Sequence, residues 1–139
     1  MKKIFLVTVM LITVIYADFT RDNATQVVTD STTGLQWQDN VNITKTWTQA
    51  IDYCEALTLG GYSDWRLPNF NELYFIADRS KRNPAIDSAF QNVVSNVCWS
   101  SSTVVGYENL AWSVHFSNGD GNWNYKSSSV YVRCVRDGQ

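Results

Sequence analysis

The chain has 139 residues, a formal net charge of −2 and an aromatic share of 14%. That balance excludes a broad nucleic-acid surface, which needs a clustered basic face; the one basic cluster, Arg79 with Lys81 and Arg82, follows a helical pattern and reads as a solvated loop. Six Trp, seven Tyr and six Phe suit a small domain, in which large rings bury more area per residue than a short chain otherwise allows.

The first segment reads as an export signal. Lys2-Lys3 supplies a positive start, Ile4 to Ile15 an apolar run, and Ala17 a small residue suited to cleavage. The run is shorter than the ~20 residues a spanning helix needs, and no cysteine stands beside the cleavage point to carry a lipid. The expectation is a signal peptide over residues 1–17, no membrane span after its removal, and a single domain over 18–139 in the periplasm or outside the cell.

Further along, Gln26-Val27-Val28-Thr29-Asp30 and Leu35-Gln36-Trp37-Gln38 alternate on either side of a Ser, Thr and Gly turn and predict an opening hairpin. Thr46-Trp47-Thr48-Gln49 matches a capping box, and Trp47, Ala50, Ile51, Cys54 and Leu57 recur at helical spacing. Gly60-Gly61 offers a stop for that helix. A second helix is predicted after Pro68, with Asn69 and Glu72 capping it and Phe70, Leu73, Tyr74, Ile76 and Ala77 facing the core. Trp65 and Trp99 lie in short apolar segments between loop signals and are expected to be buried. In the last third, Trp112, Val114 and Phe116 alternate with Ala111, Ser113 and His115 as in a half-buried strand; Asn118-Gly119 signals a hairpin, and a strand through Trp123 and Tyr125 returns from it. Val130, Val132 and Cys134 share one face of a final strand. Helices early and antiparallel strands late make an α+β fold.

Cys54, Cys98 and Cys134 are the three cysteines. An oxidising compartment favours one disulfide and leaves three pairings open; Cys98, next to Trp99 in an apolar context, reads as a buried thiol. The spacings fit no zinc motif.

Several of these segments together resemble one family. Asp30-Ser31-Thr32-Thr33-Gly34-Leu35-Gln36-Trp37, the Tyr53-Cys54 helix end, Gly60-Gly61-Tyr62-Ser63-Asp64-Trp65-Arg66-Leu67-Pro68, Trp99-Ser100-Ser101 and Val132-Arg133-Cys134-Val135-Arg136 are similar to the motifs of the Legionella collagen-like protein C-terminal domain family, in the same order. The resemblance implies a secreted bacterial module with a C-type-lectin-like fold: two helices flanking an antiparallel sheet, with long late loops carrying recognition. It also implies the Cys54–Cys134 pairing, since a disulfide commonly ties the first helix to the last strand in such folds.

The residues then indicate a non-catalytic recognition module. Tyr107, Asn109, Asp120, Trp123, Asn124 and Tyr125 mix ring faces with amides and a carboxylate; sugars present C–H faces that stack on rings and hydroxyls that take paired hydrogen bonds. The expected partner is an extracellular or surface polysaccharide, bound without a cofactor, and the alternative is a surface protein on a display scaffold. Asn118-x-Asp120-x-Asn122 begins like a calcium loop, but Trp123 stands where such loops need glycine and Ser129 where they need Glu, so no metal site is expected. Formylglycine-generating enzymes share a similar Arg-Leu-Pro helix start; their chemistry needs a late pair of redox cysteines, and only Cys134 stands there. His115, the one histidine, has no nucleophile fixed to it by a motif.

Overall fold

β2 (Val27–Asp30) and β3 (Gln36–Gln38) form where the sequence alternates, pairing antiparallel with Val28 opposite Trp37. Asp30 closes the turn between them: its carboxylate accepts from the Thr32 N–H at 2.9 Å and the Thr33 hydroxyl at 2.8 Å, and Gly34 takes a φ of +76° there. The structure is a computed structural model that describes residues 1–12 and 18–138. Residues 1–12 form neither helix nor strand and are exposed, and Ala17, the expected cleavage residue, lies outside the described residues. No helix among the described residues is long and apolar enough to cross a membrane.

The described residues form nine strands and two helices. One sheet has the order β1-β2-β3-β9, with β1 at Phe19–Asp22 and β9 at Val135–Arg136. The other has the order β4-β8-β5-β6-β7, built from β4 (Thr44–Lys45), β5 (Val97–Val104), β6 (Tyr107–His115), β7 (Asp120–Tyr125) and β8 (Val130–Tyr131). β1 carries no apolar alternation in the sequence because Arg21 takes one of its inward positions.

α1 (Trp47–Ala56) begins at Thr46, whose backbone N–H donates to the Gln49 side chain at 3.3 Å. It ends with Leu57 in extended conformation, so Gly60-Gly61 does not stop it. Those glycines, at φ +63° and +81°, instead make a separate tight turn across which Leu59 and Tyr62 exchange backbone hydrogen bonds of 3.0 and 3.1 Å. α2 (Phe70–Phe75) has the predicted reciprocal cap: Asn69 Oδ1 accepts from the Glu72 N–H and Glu72 Oε1 from the Asn69 N–H, both at 2.9 Å. The helix is short, and Ile76 and Ala77 follow it, Ile76 still buried.

Two apolar clusters flank the longer sheet. Consecutive residues of β5 point into different clusters: Trp99 joins Ala50 and Cys54 of α1, while Cys98 joins Leu73 of α2. The helices therefore sit on opposite faces. The C-terminal segment keeps its period of two along its length, with Val130, Val132 and Cys134 in the first cluster and Tyr131 and Val135 in the second. It is not one strand, however, because it leaves one sheet as β8 and enters the other as β9. Trp65 and Trp99 are buried at 2% and 0% exposure.

Three expectations need correction. The flanked sheet is mixed, since β5 lies parallel to β8 at Cys98 and Tyr131, and a second sheet stands beside it. The half-buried strand is covered on both faces in its second half, where Ala111, Ser113 and Val114 are all fully buried. The late recognition loops are not loops: β5, β6 and β7 form an antiparallel meander closed by tight turns, with Gly106 at φ +83° and Gly119 at φ +86°.

Candidate functional site

Alternation along β6 and β7 puts every second side chain on one face. Trp112 pairs with Trp123 and Leu110 with Tyr125, and these four, with Val104, Tyr107 and Asn109, line a depression of about 470 Å³. Tyr107, Trp123 and Tyr125 are exposed at 61%, 47% and 54%, and the Trp123 and Tyr125 rings meet edge to face at 6.0 Å. Beneath them the aromatic strip continues inward, Trp112 against Phe70 at 5.6 Å and Phe70 against Tyr74 at 5.4 Å, so the exposed rings stand on a packed base. Phe70 also lies where a Cβ on Gly121 would sit, at 3.0 Å; glycine lets α2 approach β7 this closely.

Tyr107, Asn109, Trp123 and Tyr125 are thus brought together. Asn124 is not part of this group: it alternates to the other face, where its side-chain oxygen accepts from Ser113 Oγ at 2.7 Å. Asp120 lies at the far end of β7, its carboxylate accepting from Asn118 Nδ2 at 2.8 Å while Asn118 Oδ1 accepts the Asp120 N–H at 3.0 Å. These residues that resemble a calcium loop close a hairpin. No group of three or more His, Cys, Asp or Glu side chains converges among the described residues. His115 Nδ1 is 2.7 Å from Ser117 Oγ beside that turn.

A more polar depression of about 310 Å³, between Asp22, Thr25, Thr29, Gln36 and Tyr62, is less suited to a ligand. Asp22 Oδ1 already accepts the Ala24 N–H at 2.8 Å, and Gln36 donates to Thr29 and accepts from Arg136.

Sequence reasoning missed the buried ionic centre. Asp39, fully buried, is held by Arg21 at 2.6 Å and Arg133 at 3.1 Å, and it also accepts the backbone N–H groups of Gln91 and Asn92 at 2.9 and 3.1 Å. Arg133 donates further to the carbonyls of Gln38 and Asn92. A charged residue next to the Gln38 strand end gives no local sign of burial; the signal was the pattern Arg133 and Arg136 inside an otherwise apolar ending, which implies carboxylates elsewhere.

A family model described as the Lcl C-terminal domain matches residues 26–136. The chain belongs to that family. No curated protein matches the chain. The match runs from the start of the opening hairpin through β9 and leaves β1, with Arg21, outside it.

In this Lcl C-terminal domain the motif residues quoted above are scaffold. Trp65 Nε1 donates to the carbonyls of Leu59 and Tyr62, both at 3.2 Å, holding the Gly60-Gly61 turn. Arg66 forms a two-pronged pair with Glu72 at 2.7 and 2.8 Å and reaches Asp137 at 2.7 Å. Burial opposes ionisation of Glu72, but the Arg66 pair and the Asn69 N–H outweigh it and hold the carboxyl below its ordinary range. Arg136 pairs with Asp64 at 2.6 Å and lies on the Tyr62 ring at 3.6 Å, and its hydrogen bond lowers the Asp64 carboxyl as well. Trp99 Nε1 donates to the Lys45 carbonyl at 2.9 Å, Ser100 Oγ to the Trp112 carbonyl at 2.6 Å. Cys54 and Cys134 are joined, as the resemblance implied, and Cys98 is a buried free thiol whose pKa burial pushes up to about 11. The exposed platform is thus built from residues outside the shared motifs, on a base those motifs hold rigid.

Proposed function

We propose that this domain is an exported, non-catalytic recognition module of C-type-lectin-like type that binds extracellular or surface polysaccharide on the β6–β7 face. The observation that carries the reading is the set of three exposed rings, Tyr107, Trp123 and Tyr125, around a depression that Asn109 also lines. Rings left this exposed beside one another on a packed base are uncommon without a partner. Their faces suit the C–H side of a sugar, and the Tyr107 and Tyr125 hydroxyls can exchange hydrogen bonds with its hydroxyls. The lining holds no carboxylate, imidazole or thiol, which favours binding over acid–base or nucleophilic chemistry. The Cys54–Cys134 disulfide, in a chain that belongs to the Lcl C-terminal domain family, supports export, since such bonds persist in oxidising compartments.

The test is a titration of the domain with neutral and acidic polysaccharides, with and without EDTA, read by calorimetry and tryptophan fluorescence. Saturable binding that survives EDTA is expected. Trp123→Ala is expected to weaken it by about tenfold or more, as loss of an aromatic anchor does, while the thermal midpoint stays nearly unchanged because the ring is 47% exposed. Binding to envelope proteins with no polysaccharide binding would replace this reading with the protein-partner one, and turnover of a substrate would replace it with an enzyme.

A further inference from the structure

We infer that β7 is a self-pairing edge, through which two copies of the domain join their longer sheets antiparallel about a two-fold axis at Trp123. The inference is independent of the polysaccharide reading.

β7 ends its sheet with β6 as its one neighbour among the described residues. The opposite edge, β4, is only two residues long and includes Lys45, which is how sheet edges are ordinarily protected. β7 is six residues long and contains neither Pro nor Lys. Its hydrogen-bond phase can be read from its flanks. The Lys126 N–H donates to the Asn109 carbonyl at 2.9 Å, and the Phe116 N–H, on the other side of β6, to the Asn96 carbonyl at 3.0 Å. Even-numbered residues of β7 therefore bond inward to β6, and Gly121, Trp123 and Tyr125 turn their N–H and C=O groups outward.

Antiparallel pairing centred on Trp123 brings those three residues opposite their own set. Trp123 faces Trp123 and Gly121 faces Tyr125, each pair in the closely spaced, doubly bonded phase. The same register sets Asp120 opposite Lys126, Asn122 opposite Asn124, and a tyrosine ring beside a glycine, a favourable cross-strand partner. Opposite charges at both ends of one strand, equally spaced from its centre, are what a self-complementary two-fold contact needs. The axis is perpendicular to the sheet, so both copies keep Trp123 and Tyr125 on the same face and the two depressions become neighbours. Three contacts within the chain oppose the pairing: the Trp123 N–H is held by Asn122 Oδ1 at 2.8 Å, the Asp120 carboxylate accepts from Asn118 Nδ2 at 2.8 Å, and Lys126 Nζ donates to Thr103 Oγ1 at 2.9 Å while lying 3.9 Å over the Trp47 ring. These must open for the strands and their end charges to pair, which makes the association weak and tunable.

Sedimentation velocity across a concentration series should show a monomer–dimer equilibrium that weakens with salt. Asp120→Lys sets like charges opposite each other twice and should weaken dimerisation by about tenfold. Asn122→Ala frees the Trp123 N–H and should strengthen it. Trp123→Cys should air-oxidise to a linked dimer on a non-reducing gel, whereas Val105→Cys, 94% exposed on the distant β5–β6 turn, should remain monomeric; circular dichroism on each variant confirms folding. A protein that stays monomeric throughout the series, a dimer indifferent to both Asp120→Lys and Asn122→Ala, or equal crosslinking at 105 and 123 would overturn the inference.

Discussion

Asp39 is the residue on which the two ends of the chain converge. Arg21 approaches it from β1 and Arg133 from the segment before β9, and three backbone carbonyls and the Asn23 side-chain oxygen accept further guanidinium donors. Removing one member of a buried pair leaves its partner charged and unmatched, which is costlier than never having built the pair. Asp39→Ala is therefore expected to destabilise the fold by about 3–5 kcal/mol, measured by urea unfolding. Cys98 behaves differently although it too is buried. Its thiol faces Leu73 and Val114 in the second cluster, and with its pKa pushed up to about 11 it has almost no thiolate at neutral pH. Iodoacetamide should leave Cys98 unmodified in the native protein and label it fully in urea, as peptide mapping would show.

At the level of elements, α2 owes its position to chemistry at its start more than to its length. Asn69 and Glu72 cap each other, and Glu72 is at the same time the partner of Arg66. Because the folded-state pKa of Glu72 is lowered, its contribution is present above the unfolded value of about 4.3 and is lost as pH falls through the lower folded value. Wild-type protein should lose more stability than Glu72→Gln between about pH 5 and pH 2, followed by urea midpoints; an identical acid limb would remove Glu72 from this role. Asn69→Ala should cost about 1 kcal/mol at neutral pH. This cap was legible in the sequence because it is local, as were the β2–β3 hairpin and the 118–119 turn. What was not legible depends on distant partners. β1 was hidden because Arg21 replaces an apolar side chain at an inward position, and its partner Asp39 lies in another segment. Asp120 and Asn124 were grouped with the site by proximity in sequence, whereas the pleat sends Asn124 to the opposite face and the turn holds Asp120 at the strand's far end. Tyr107, Asn109, Trp123 and Tyr125 line one depression; that Trp123 and Tyr125 stand on a strand face with Leu110 and Trp112 rather than on a loop follows from pairing with β6.

For the whole molecule, the Cys54–Cys134 bond spans 80 residues and fastens α1 to the segment between β8 and β9. By chain entropy such a closure is worth on the order of 4.5 kcal/mol, and loss of a native bridge in a small secreted domain typically costs about 2–5 kcal/mol. Reduction, or Cys54→Ala, should lower the thermal midpoint accordingly while leaving Cys98 as the inert thiol. The segment carrying Cys134 has a second consequence, for the order of events in folding. It supplies β8 to one sheet and β9 to the other, the arginine that Asp39 awaits, and the strand that lies beside Trp37. A growing chain synthesised as far as residue 125 holds the complete meander but neither closed sheet, and the hairpin at its front still lacks an outer neighbour. Contacts this remote in sequence cannot form early, and folding dominated by them is slow. Neither sheet can therefore close before the last strands are available, so the two cores are completed together and late.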